Sequence, residues 1–264
     1  MASIQGPQWS EDRSVARWFV MPETGPQHEQ TEALVRRLRD DVLDQAQSGT
    51  GLDVLVSSST ALNVDASDFL GGRYSLFFAA ILGLSFLLLM TVFRSILVPL
   101  KAVVVNMLSI GAACGVVVAA FQWGWGSSIF NVSRGAPIEP FIPMMLFAIV
   151  FGLSMDYEVF LLSRIVELHE QGYSNDDAVV MGLQRSGRII TSAAMLVVIV
   201  FSGFVAGQLL VIKETGVGLA VAVLLDATLV RMLLVPATMA VLGDWNWWAP
   251  SGLKKWHARF GITE

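Results

Sequence analysis

Beyond residue 73 the chain alternates long apolar runs with shorter polar links. Five runs come near the about 20 residues a helix needs to cross the hydrocarbon core of a bilayer. They are approximately Tyr74–Phe93, Ile96–Phe121, Phe141–Leu162, Ile189–Leu209 and Gly216–Leu242. Pro99 and Lys101 interrupt the second near its start. The last is long enough to tilt or bend, and Pro236 is expected to kink it near its end.

Residues 1–70 follow a different pattern and predict a small α/β head. Val15–Met21 is apolar and suits a strand, and Pro22–Pro26, with Gly25 between two prolines, suits a turn. Leu34, Leu38 and Val42 recur at helical spacing with Val35 beside them, and charged residues take the opposite face, which predicts a helix over 30–46. Gly49-Thr50-Gly51 ends it, and Leu52–Val56 reads as a second short strand. One strand-helix-strand unit is too small to cover both faces of a sheet by itself.

Composition agrees with a membrane body behind a polar head. Of 264 residues, 54% are hydrophobic and only 15% charged, against roughly 25% in a soluble domain. Half of the 22 acidic residues fall within the first 73 positions. The fold class is therefore mainly α: a polytopic bundle of about five transmembrane helices over 71–243, an α/β head, and a tail from 244 to 264. The net charge of −5 argues against nucleic acid as a partner. The single cysteine, Cys114, sits in an apolar run as a packing residue. His28, His169 and His257 are far apart in sequence, so no metal site is implied, and no phosphate-binding Gly-x4-Gly-Lys-Ser/Thr loop occurs. No nucleophile-base pair suggests an enzyme.

Basic residues predict the orientation. Arg94 and Lys101 mark the first link, Arg164, Arg185 and Arg188 the third, and Lys254, Lys255 and Arg259 the tail, whereas the opposite links hold only Arg134 and Lys213. Links one and three and the tail are then cytoplasmic, and the head is outside, in a cell membrane. Trp123 and Trp125 on one side and Trp245, Trp247 and Trp248 on the other fit interfacial belts. The head must cross the bilayer, yet its first 25 residues contain no signal-like apolar core. The expectation is the C-terminal part of a larger protein, in which a preceding helix delivers the head.

The candidate chemistry lies in the third run. Asp156 is its first charge, and no Lys or Arg occurs within four residues. A carboxylate at that depth costs at least about 2.5–3.5 kcal/mol, which makes it a functional-site candidate with partners on other helices. Arg164 follows eight residues later, which puts Asp156 about 12 Å from the inner interface. Tyr157 adds a hydroxyl that donates and accepts. Gly152 and Ser154 are small enough for close helix approach. Glu158 lies about 200° around the helix from Asp156 and reads as an inner-leaflet contact rather than a relay member. In the last run, Asp226 is a second candidate for a polar pathway or else a structural contact. Arg231, five residues on, is expected to be a poor partner for it on one helix, and so to pair elsewhere or reach toward the interface. Thr191-Ser192-Ala193-Ala194 and Gly216-x-Gly218-x-Ala220 offer small residues and hydroxyls at helix contacts.

Three segments carry a resemblance: SDFLGGRYSLFFAAILGLSFLLLMTVFRSILVPLKAVVVNMLSIGAA, FIPMMLFAIVFGLSMDYEVFLLSRIVE and VGLAVAVLLDATLVRMLLVPATMAVLGDWNWW. In this order and spacing, over essentially residues 50–250, the chain resembles the MMPL family of the RND transporter superfamily. The resemblance implies twelve helices in two similar halves, each half with a large extracytoplasmic porter insert after its first helix. This chain looks like the last five helices, with residues 1–70 as the end of the second insert. In the family an Asp-Tyr pair on the fourth helix faces another on the tenth, and the pairs relay protons. Asp156 and Tyr157 match the tenth-helix pair. The resemblance further implies export of lipids or hydrophobic drugs, driven by a proton gradient without other cofactors. First-half helices and a second Asp-Tyr pair are missing from this sequence. Two readings follow: an exporter part that works with its missing half or by self-association, and a non-transporting or regulatory membrane module with an idle motif.

Overall fold

The structure, a computed structural model, describes residues 3–93, 95–132 and 138–248. The chain divides into two compact units, Met1–Gly72 and Arg73–Glu264.

The first unit opens with an antiparallel hairpin of β1 (Ser3–Trp9) and β2 (Ala16–Met21), registered from Ser3 opposite Met21 to Trp9 opposite Ala16. Asp12 closes its turn by accepting from the hydroxyls of Ser10 (2.6 Å) and Ser14 (2.8 Å). The ladder shifts register between Gln5 and Gln8. There Gly6 has φ +136°, and a Cβ would lie 2.8 Å from the Arg17 carbonyl oxygen. Then come α1 (Glu29–Arg37), a π-helical stretch (Leu38–Leu43) and α2 (Asp44–Gln47). The His28 side chain caps α1 by accepting from the Gln30 N–H. Helix α3 (Ser59–Gly71) is capped by Ser58 and is bound to the α1 region through Arg36–Asp68 at 2.7 Å and Arg39–Asp65. Val35, Ala61 and Val64 are its buried hydrophobic side chains.

The expected second strand at Leu52–Val56 is not formed. Gln47 and Arg39 side chains donate to the carbonyls of Val54 (3.0 Å) and Val56 (3.2 Å), so the helical segment satisfies this stretch without a ladder. The partner of β2 is instead the N-terminal segment 3–9. The head's α/β character stands, as a hairpin followed by helices.

The second unit is helical: α4 (Tyr74–Phe93), α5 (Leu97–Val117) continued by a π-helical turn (Val118–Gln122), α6 (Ser127–Phe130), α7 (Ile142–Glu170), α8 (Asn175–Phe204), α9 (Leu210–Leu225), a π-helical stretch (Asp226–Leu234), α10 (Val235–Leu242) and a 3-10 turn (Gly243–Trp247). Among the described residues, five helices are long and apolar enough to cross a membrane. In the third and fifth spans 50% and 56% of the apolar window is buried, against 11% in the first and fourth, so α7 and the last helix form the centre. Around α7, Phe78 meets Phe147 edge-on at 4.5 Å, and Phe147 stacks on Phe151 at 5.2 Å. Pro99 falls in the first turn of α5, where a missing N–H leaves no hydrogen bond broken.

Helices α7 and α8 extend well past the expected spans and are separated only by residues 171–174. Arg164, Arg185 and Arg188 therefore lie on helices rather than in a loop. The polar residues interrupt no helix because Ile165, Leu168, Ala178 and Val179 keep one face of the hairpin buried. Close approach is set by Gly182, where a Cβ would meet Ile165 Cγ1 at 2.6 Å. The irregularity expected at Pro236 falls in the preceding stretch, Asp226–Leu234, which is π-helical.

Near the far end of the last helix, Asn246 is buried and donates to the Met239 carbonyl (2.7 Å) and to Asn175 Oδ1 (3.3 Å). Trp247 stacks on His169 at 4.1 Å. It is therefore a packing residue and not the interfacial anchor expected, whereas Trp123, Trp125, Trp245 and Trp248 are exposed. Arg94, Arg134, Lys254, Lys255 and Arg259, which entered the orientation argument, lie outside the described residues, as does most of the 244–264 tail.

Candidate functional site

Asp156 and Glu158, two residues apart on α7, face opposite environments. Asp156 is exposed, and so is Gly152 one turn before it. A Cβ on Gly152 would meet nothing within 4 Å, so the close approach expected there does not occur among the described residues. Asp156 has no hydrogen-bond or ion-pair partner among them either, and the expectation that it lies against neighbouring helices is not met. It sits instead on an open face of the third span.

The opposite face of α7 is closed. Glu158 is buried and accepts from Asn106 Nδ2 of α5 at 3.1 Å. It interacts electrostatically with Lys101, Arg231 and Asp226. The reading of Glu158 as an inner-leaflet contact is thus corrected: it is part of the internal polar cluster. Its position about 200° from Asp156 turns it toward α5 and the last helix.

Asp226 and Arg231 are both buried and form an ion pair at 2.8 Å, contrary to the expectation that five residues separate them too widely. The cause is the local backbone. The N–H of Val235 bonds to the carbonyl of Val230, an i→i+5 step, and the wider turn brings residues five apart onto one face. Arg231 also donates from Nη2 to the Ser154 carbonyl, so Ser154 contributes its backbone rather than its hydroxyl. The guanidinium carbon lies 5.2 Å from the centre of the Tyr157 ring. Tyr157, half-buried, thus stands between the open face that carries Asp156 and the closed cluster behind it.

Other candidates separate from the cluster. Ser192 is exposed and donates to the Ile189 carbonyl of its own helix at 3.0 Å, which removes it from any internal pathway. Gly216 packs α9 on α8, where a Cβ would lie 2.7 Å from Phe204 Cβ and 2.8 Å from the Phe201 carbonyl oxygen. At Gly218 a Cβ would lie 2.8 Å from Leu146 of α7. The sequence reading missed Asn106. Its signal was an amide inside the run Val103-Val104-Val105-Asn106-Met107-Leu108. Among the described residues no group of three or more His, Cys, Asp or Glu could hold a metal ion.

The MMPL family profile matches residues 4–261. The chain belongs to the MMPL family. It is 42% identical over 91% of its length to the putative membrane protein SCO6666 of Streptomyces coelicolor, covering 33% of that protein. It is 38% identical over 97% of its length to membrane protein YdfJ of Bacillus subtilis, covering 34% of it. The mycolic acid-containing lipids exporter MmpL11 of Mycolicibacterium smegmatis is 36% identical over 97% of this chain, which covers 26% of that exporter. The chain thus spans about a third of the length of the first two relatives and less of the third. As an MMPL protein with five apolar spans, it is a membrane protein of a transporter family.

Proposed function

We propose that this chain is the proton-coupled, C-terminal membrane portion of an exporter for lipids or other hydrophobic molecules. The observation that carries the reading is Asp156, a carboxylate with no partner among the described residues on the Gly152 face of a membrane-spanning helix, backed by Tyr157 and the Arg231–Asp226 pair. A charge there is costly in hydrocarbon, so this face calls for a protein partner and for a proton that comes and goes. The partner is another membrane half or a second copy of this chain. Asp156 carries the proton. Tyr157 stands between Asp156 and the buried Asp226–Arg231 pair, with its ring against the Arg231 guanidinium. The lipid substrate class is supported by the name of the MmpL11 relative.

In this reading residues 1–70 belong to an extracytoplasmic porter domain and the segment from 244 is a cytoplasmic tail. Arg164 on α7 and Arg185 and Arg188 on α8 favour a cytoplasmic position for the end of the bundle that carries the α7–α8 turn. The energy source is the proton gradient, with no nucleotide. The test is export by the reconstituted assembly in proteoliposomes. Export should follow an imposed proton gradient and stop when a protonophore collapses it; export that continues unchanged after collapse would refute the coupling.

A further inference from the structure

Helix α8 has two faces of unlike chemistry. Gly182, Ser186, Ile190 and Ala194 recur every fourth residue and are buried. On the other side Arg185, Arg188, Ile189, Ser192, Leu196 and Ile199 follow one another at helical spacing, and all six are exposed. This stripe begins with two cations one turn apart and continues as apolar side chains. Ser192 does not break it, because its hydroxyl donates to the Ile189 carbonyl of the same helix.

The two arginines are also left without counter-charge. Arg36, Arg39, Arg164 and Arg231 each have a carboxylate partner, in Asp68, Asp65, Glu167 and Asp226. The side chains of Arg185 and Arg188 have no hydrogen-bond or ion-pair partner among the described residues. The acids of α8 are Asp176 and Asp177 in its first turn, where Asp176 accepts from Asn175 and Asp177 from Ser174. Arg185 comes eight residues after Asp177, about 12 Å along the helix.

Two exposed guanidiniums at the end of an apolar stripe match an anion that carries its own apolar tail. Guanidinium binds phosphate oxygens in pairs. Ile199 lies eleven residues beyond Arg188, about 16 Å along the helix, which is close to half of the about 30 Å hydrocarbon core. One acyl chain therefore has the length of the stripe. A free phosphate uses the arginines and leaves the stripe untouched, and a zwitterionic lipid brings its own cation to the arginines. We propose that this face of α8 is a binding site for an anionic phospholipid of the bilayer, with its phosphate between Arg185 and Arg188 and an acyl chain along Ile189, Leu196 and Ile199. The lipid is a lasting neighbour of the helix and not exported cargo. The assignment needs only that α8 crosses the bilayer, so it stands apart from Asp156 and from export.

The test is native mass spectrometry of the full chain released from micelles and titrated with phosphatidylglycerol or with phosphatidylcholine of the same acyl chains. Phosphatidylglycerol should bind the wild-type chain about tenfold or more tightly than phosphatidylcholine. Arg185→Gln and Arg188→Gln should each weaken phosphatidylglycerol about fivefold, and the double variant should lose the preference while its phosphatidylcholine binding stays the same. Arg185→Lys with Arg188→Lys should keep most of the preference, since the charge remains. Arg164→Gln should leave it unchanged, because Glu167 already answers that charge. Glycerophosphoglycerol, the headgroup without its chains, should fail to compete. Equal affinity for the two lipids, a preference that survives the double Gln variant, an equal loss in Arg164→Gln, or displacement by the headgroup alone overturns the proposal.

Discussion

The two faces of α7 use similar residues to opposite ends. One face has a glycine and a carboxylate, Gly152 and Asp156, both exposed, and Asp156 has no hydrogen-bond or ion-pair partner among the described residues. The other has a carboxylate, Glu158, that is buried and bonded to Asn106. Elsewhere glycines such as Gly216 and Gly182 are pressed against neighbours that leave no room for a methyl group. The difference teaches that residue type does not reveal role in a membrane helix. The same small-residue and acid pattern serves internal packing on one side and lies open on the other.

The comparison can be broken first at the buried pair. Arg231→Ala should cost about 3–5 kcal/mol, because it leaves Asp226 charged and alone in the core. Replacing both residues by apolar ones, Asp226→Leu with Arg231→Met, should recover much of that loss. Reversible unfolding in mixed micelles measures both, and a double variant no better than the single one would contradict the argument.

A smaller effect separates the glycines. Gly216→Ala should destabilise the bundle by about 1–3 kcal/mol through overlap with Phe204 and the Phe201 carbonyl. Gly152→Ala meets open space and should stabilise the isolated chain by up to about 1 kcal/mol through helix propensity. The same Gly152→Ala change should weaken association with the partner membrane half. Equal losses of stability at the two positions would erase the distinction between the faces.

The smallest effect lies in the head. Hydrogen bonds from Ser10 and Ser14 hold the Asp12 carboxyl down to about 2. A carboxyl lowered on folding contributes stability that is present above the ordinary carboxylate range and lost as pH falls through about 2. Asp12→Asn should therefore loosen the β1–β2 turn slightly and remove this acid dependence, as read from the turn's amide resonances. Acid loosening that is unchanged in the variant would assign it to another group.

Much of this was legible in the chain itself. The first span, Tyr74–Phe93, has the limits its apolar run predicted, because Arg73 and Arg94 bracket the run in the sequence. The third and fourth helices ran longer than predicted. Hydropathy marks where hydrocarbon ends, whereas the helix continues as long as one face stays apolar. The β1 strand escaped notice because every one of its positions is exposed, so no alternation marks it. Asp156 and Tyr157 were legible as charge and hydroxyl in an apolar run. The Asp226–Arg231 pair was not, because the pairing depends on a π-helical turn that residue spacing alone does not reveal. The enclosure of Glu158 depends on Asn106, 52 residues away in sequence.

The central claim is that Asp156 on the open face carries the proton that drives export. The most direct measurement compares gradient-driven export by the reconstituted assembly with wild-type chain and with Asp156→Asn, which keeps the volume but cannot release a proton. Fold and assembly are checked on the same preparations. The account predicts that the variant assembles normally and exports nothing above the level without a gradient. Export by Asp156→Asn at the wild-type rate, with the same dependence on the gradient, would contradict it.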